Sequence, residues 1–82
     1  MKQEALKYYE QALRIKREVG DRGGEGTTLN NLGGVYNALG QKQEALKYYE
    51  QALRIKREVG DRGGEGTTLN NLGGVYDDLG QK

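Results

Sequence analysis

The amino-acid sequence predicts an all-α chain made of two copies of one antiparallel helical hairpin. Two observations lead there. Residues Gln3 to Lys42 return as Gln43 to Lys82, with differences only at Asn37 against Asp77 and Ala38 against Asp78. A period between about 20 and 50 residues marks a stacked array in which one structural unit is used repeatedly. Within each unit the apolar residues follow the 3.6-residue period of a helix rather than the alternation of a strand.

The first element of the unit is clearest in its second copy. Ala45, Leu46, Tyr49, Ala52 and Leu53 fall at i, i+1, i+4, i+7 and i+8, and Tyr48, Ile55 and Val59 widen the stripe. A face this broad needs neighbours on two sides, as in the inner layer of a solenoid. Gly60 stands where a C-terminal cap belongs. Helices are therefore expected over Gln3–Val19 and Gln43–Val59. The second element carries Leu29, Leu32, Tyr36 and Leu39 at spacings of three, four and three, and stops at Gly40. Asp21 is its expected N-cap. Gly33 and Gly34 suit a close helix crossing. Gly23, Gly24 and Gly26 have no such use in the sequence pattern, and each weakens the helix by up to about 1 kcal/mol, so this opening turn is expected to fray or to form late.

Composition excludes more than it assigns. Thirteen Lys plus Arg against twelve Asp plus Glu leave a charge of +1, no match for a phosphate backbone, so nucleic acid is not an expected partner. With no Cys and no His, thiolate nucleophiles, imidazole bases and the usual zinc sites are missing, and no enzyme activity and no cofactor are expected. Apolar runs such as Ala5-Leu6 are far below the roughly 20 residues of a membrane span, so no membrane is expected either. The composition is compatible with a soluble protein of a reducing cytoplasm. The Gly-Asp-Arg-Gly-Gly-Glu-Gly string lacks the Lys-Ser/Thr ending of a phosphate loop and reads as an interhelix turn. Arg54, Lys56, Arg57 and Glu58 read as a solvated charged face.

The run Leu29, Leu32, Gly33, Tyr36, Gly40, Ala45, Leu46, Tyr49, Ala52, Leu53 closely resembles the tetratricopeptide repeat pattern. Two departures stand out. The unit is 40 residues rather than about 34, and Arg57 occupies the place of the family's usual terminating proline, so the helix should run past it. The Gly-Asp-Arg-x-Gly-Glu and Asn-Leu-Gly-x-Val-Tyr strings look like the longer repeats of Leu-Gly-Asn-type polarity adaptors and kinesin light chains. The near-identity of the copies points to consensus design or recent duplication, and the chain reads as an engineered or excised piece of an array.

The resemblance implies one repeat domain, 1–82, with four helices in the order B-A-B-A and a complete A-B unit over about residues 21–59. It also implies two places for partners. Half-repeats at the two ends suggest self-association through Ala5, Leu6, Tyr9 and Leu13 at one end and Leu69, Leu72, Tyr76 and Leu79 at the other. Head-to-tail assembly and a helix-swapped dimer are both open, the Gly-rich segment Gly60–Gly66 being the candidate hinge. Alternatively, the concave face of the A helices would take an extended peptide through Thr27, Asn30, Gly34 and Asn37 and their counterparts Thr67, Asn70, Gly74 and Asp77.

Overall fold

The computed structural model describes residues 1–80, so the last two residues of the second repeat lie outside the described residues. Four helices follow one another: α1 (Lys2–Val19), α2 (Arg22–Ala38), α3 (Lys42–Val59) and α4 (Arg62–Asp78). Each packs on the next, and α2 also touches α4 across α3. The expected boundaries hold to within a residue or two, and α3 continues through Arg57 to Val59.

The turns explain themselves chemically. Gly20 and Gly60 end α1 and α3 at φ 76°, a left-handed conformation that a Cβ would strain, and their N–H groups return to Arg17 and Arg57 O. One residue on, Asp21 and Asp61 cap α2 and α4, with Oδ1 accepting from Gly24 N at 2.9 Å and Gly64 N at 2.8 Å. The opening turn of α2 is helical from Arg22 in the structure. A Cβ on Gly24 would strike the Asp21 carboxylate and the Lys16 stem, and one on Gly26 would stand 3.0 Å from Ile55 Cγ2. These glycines admit the cap and the neighbouring helix.

The extents of 39 × 30 × 15 Å describe a flat stack, so the apolar core is divided into two clusters along it. Leu13, Leu29, Leu32, Ala52 and Ile55 join α1, α2 and α3, with Leu6, Tyr9, Tyr36 and Tyr48 packed around them. Ala45, Leu46, Tyr49, Leu72 and Val75 join α3 to α4. Such a stack depends on each layer having its neighbour, because a single hairpin cannot bury its own face.

Between the clusters and solvent lies a carboxylate latch. Glu25 is buried and accepts from Arg17 Nε and Arg22 Nη1, both at 2.9 Å, while Arg57 and Arg62 do the same for Glu65. Burial pushes the Glu25 pKa up, but the two guanidinium hydrogen bonds outweigh it and hold the group below its ordinary 4.5. Glu65 is also lowered, chiefly by Arg57, and Asp21 and Asp61 are lowered by the backbone N–H groups they cap. Depressed carboxylate values add stability that is fully present above the ordinary pKa and disappears as pH falls through the folded-state value. The melting temperature is therefore expected to stay level from neutrality to about pH 5 and to drop below the ordinary values of 3.8 and 4.5. In a Glu25→Gln, Glu65→Gln variant that drop should be shallower, as followed by circular dichroism; an unchanged acid limb would contradict this.

Candidate interaction surfaces

The contact of α2 with α3 sets the pattern for the rest of the molecule. The Tyr49 ring lies over Gly33, where a Cβ would be 2.6 Å from Cδ1, and Ile55 lies over Gly26. Tyr36 and Tyr48 stack with centroids 5.2 Å apart and planes 3° from parallel. Polar contacts flank this apolar strip. Lys56 Nζ donates to Thr27 Oγ1 at 2.7 Å, and Arg22 grips Glu58 through Nε and Nη2, both at 2.9 Å.

Because the repeat is nearly exact, both halves of this contact recur on α1 and α4, where no helix among the described residues covers them. On α1, Tyr8, Ile15 and Val19 are 66%, 56% and 69% exposed, whereas Ile55, the counterpart of Ile15, is 4% exposed. On α4, positions Gly66, Gly73 and Gly74 face open space where Gly26 and Gly33 are covered by α3 side chains. Leu69 is 44% exposed against 1% for Leu29.

This corrects which residues are open. Leu13 is buried, and Leu6 and Tyr9 pack against the first cluster, because that side of α1 meets α2 within the chain; Ala5 is half-buried. Leu72 is likewise buried against α3, with Tyr76 and Leu79 beside it, and of the four candidates on α4 only Leu69 is exposed. The unpaired stripe of α1 lies one residue further round, on Tyr8 and Ile15.

Where α2, α3 and α4 come together lies a polar cavity of about 260 Å³ lined by Thr27, Asn30, Lys56, Asp61, Gly64, Thr67 and Thr68. Three of the eight expected peptide-contacting residues, Thr27, Asn30 and Thr67, meet there, while Gly34, Asn37, Asn70, Gly74 and Asp77 lie outside it. Asn30 already bridges the two A helices, its Oδ1 accepting from Thr68 Oγ1 at 3.1 Å and Asn71 Nδ2 at 3.2 Å. Asn37 Oδ1 accepts from Lys42 Nζ at 2.7 Å, and the same ammonium reaches Asp78 at 3.0 Å. Lys56 departs from the solvated face assigned to it. Its side chain is 7% exposed and pairs with Asp61 at 3.2 Å. The spacing 45, 49, 52, 56 puts it on the core stripe, a signal its charge obscures.

No cluster of three or more metal-ligating side chains exists among the described residues, and no helix among them is long and apolar enough to cross a membrane.

A family model described as tetratricopeptide repeat matches residues 2–58, more than half of the chain. The chain belongs to the tetratricopeptide repeat family. No curated protein matches it. Among solved structures it is similar to designed protein DA05, determined by solution NMR, with a TM-score of 0.89 at 24% identity over 95% of this chain and 79% of that one. That likeness concerns the fold: an all-helical repeat with no strand among the described residues. Tetratricopeptide repeats serve as protein-interaction scaffolds, and the open surfaces of this tetratricopeptide chain are of the kind that role requires.

Proposed function

We propose that this chain is a non-enzymatic scaffold whose partner is a second copy of itself, α1 of one copy seating on α4 of the next. One observation carries the reading. The residues that form the buried α2–α3 contact are repeated, open and complementary, as Tyr8 and Ile15 on α1 and as Gly66, Leu69 and Gly73 on α4. Seating them buries exposed aromatic and branched apolar groups at roughly 25 cal/mol per Å². The two faces differ, so the contact is head to tail, and it extends into a fibre or closes into a ring. A helix-swapped dimer satisfies the same faces and would appear as a discrete double mass.

Ile15→Asp tests the reading. Ile15 belongs to neither core cluster, so the helical signal and melting temperature of the dilute chain should hardly change. Light scattering at a concentration where the unsubstituted chain associates should return a monomer mass for the variant. Association undiminished by Ile15→Asp would count against this face.

The polar cavity favours a second reading, an extended peptide held by Thr27, Asn30 and Thr67 through hydroxyl and amide groups. That binding would be saturable on the monomer and indifferent to Ile15→Asp.

A further inference from the structure

We propose that the register of the junction between copies is fixed by an ion pair between Arg62 of one copy and Glu18 of the next, an inference that rests on the head-to-tail reading above. Apolar helix faces with small residues can slide by a turn at modest cost, so a junction of tyrosine, isoleucine and glycine alone leaves several registers close in energy. A planar guanidinium fork meeting a carboxylate accepts one geometry.

The template is inside the molecule. Arg22, at the first turn of α2, donates through Nε and Nη2 to both oxygens of Glu58, at the last turn of α3, and also holds Glu25 through Nη1. The counterpart of Arg22 is Arg62, and the counterpart of Glu58 is Glu18. Among the described residues Arg62 keeps only the Nη1 contact to Glu65, with no partner there for Nε and Nη2, and its side chain is 87% exposed against 45% for Arg22. Glu18 is exposed on the last turn of α1 and makes no ion pair or hydrogen bond among the described residues. Each end of the chain thus carries one half of a bidentate pair whose other half is at the opposite end.

The remaining contacts agree with the same register. Placing α1 of the next copy on α4 as α3 lies on α2 sets its Tyr9 over Gly73, its Ile15 over Gly66 and its Tyr8 on Tyr76. Its Lys16, 40% exposed and tied only to Asp21, comes to Thr67 as Lys56 comes to Thr27. A shift of one helical turn in either direction breaks the ion pair and moves every ring off its glycine. The ion pair also gives the junction a polarity, since guanidinium and carboxylate cannot exchange roles between two like ends.

The test is a pair of charge reversals, Arg62→Glu and Glu18→Arg. Both sites are exposed, and both substitutions suit the helix dipole, a carboxylate entering the first turn of α4 and a cation the last turn of α1. Glu18→Arg should leave folding unimpaired, whereas Arg62→Glu gives up one of the two guanidinium partners of Glu65 and keeps Arg57, so its melting temperature should fall while circular dichroism still shows a helical chain at the assay temperature. Alone, each variant brings like charges together at every junction, and its dissociation constant should rise about tenfold over the unsubstituted chain in low salt. In an equimolar mixture the reversed group of one variant meets the reversed group of the other, while the unreversed groups meet each other, so copies alternate. Sedimentation of the mixture should return to within about twofold of the unsubstituted chain. A mixture that associates no better than either variant, beside an unsubstituted chain that does associate, overturns this register and leaves head-to-tail association standing. An unsubstituted chain that stays monomeric at every concentration overturns both.

Discussion

Gly73→Ala is expected to make the isolated chain more stable and to weaken its association, while Gly33→Ala, the same change at the equivalent position, is expected to destabilise it. In α4 the space beside Gly73 is open, so an added methyl meets nothing and the helix gains about 1 kcal/mol from alanine's higher propensity. For a domain of this size that gain raises the melting temperature by roughly 4–8 °C. In α2 the same methyl would lie 2.6 to 3.0 Å from three atoms of the Tyr49 ring, including Cγ, which cannot move without displacing α3. Overpacking of that kind costs about 1–3 kcal/mol, more than propensity returns. At a junction between copies, an alanine at position 73 would obstruct the Tyr9 ring of the next copy in the same way, and association should weaken by about tenfold or more. Thermal melts of the dilute chains, with light scattering of the concentrated ones, check both parts. An equal response to the two substitutions would contradict the packing described.

Leu32→Ala should bring the largest loss of stability. Leu32 is fully buried in the cluster that ties α1, α2 and α3 together, and removing such a side chain costs about 2–5 kcal/mol. A small domain has only about 0.05–0.15 kcal/mol per residue in total, so the variant should be largely unfolded under mild denaturant. The contrast is Leu69→Ala. Leu69 is exposed in α4, and its loss should change the dilute chain by no more than about 0.5 kcal/mol. Urea titration followed by helical signal distinguishes the two; comparable losses would mean that cluster membership does not decide the cost.

Much of the fold is legible in the sequence because the signals are local. The apolar period places the helices, Gly20 and Gly60 mark their ends, and Asp21 and Asp61 start the next ones, all from residues within one turn of the feature. What periodicity does not reveal is which side of a broad apolar stripe meets which neighbour. Leu13 and Leu72 are candidates for an open face from the half-repeats that the family resemblance implies, yet both are buried within the chain, and Ile15 and Tyr8 are the residues left outside. Ile15 and Ile55 occupy identical local sequence and differ only in whether an A helix precedes them, a fact about neighbours that no local pattern encodes. The buried Lys56 and the close approach of Ile55 to Gly26 were hidden for a related reason. Charge and glycine are usually read as surface and flexibility, and here a long stem and a missing Cβ serve packing instead.

The polar cavity was partly legible too. Thr27 and Asn30 share a face of α2, Thr67 holds the equivalent place on α4, and the three do meet, but Lys56 and Asp61 reach the same place from α3 and the turn after it.

Sedimentation equilibrium of the unsubstituted 82-residue chain over a wide concentration range tests self-association most directly. The weight-average mass is expected to start at the 9.1 kDa monomer and to climb with concentration, without limit for an open head-to-tail series or to a fixed multiple for a closed ring. A mass that stays at the monomer value throughout would contradict it.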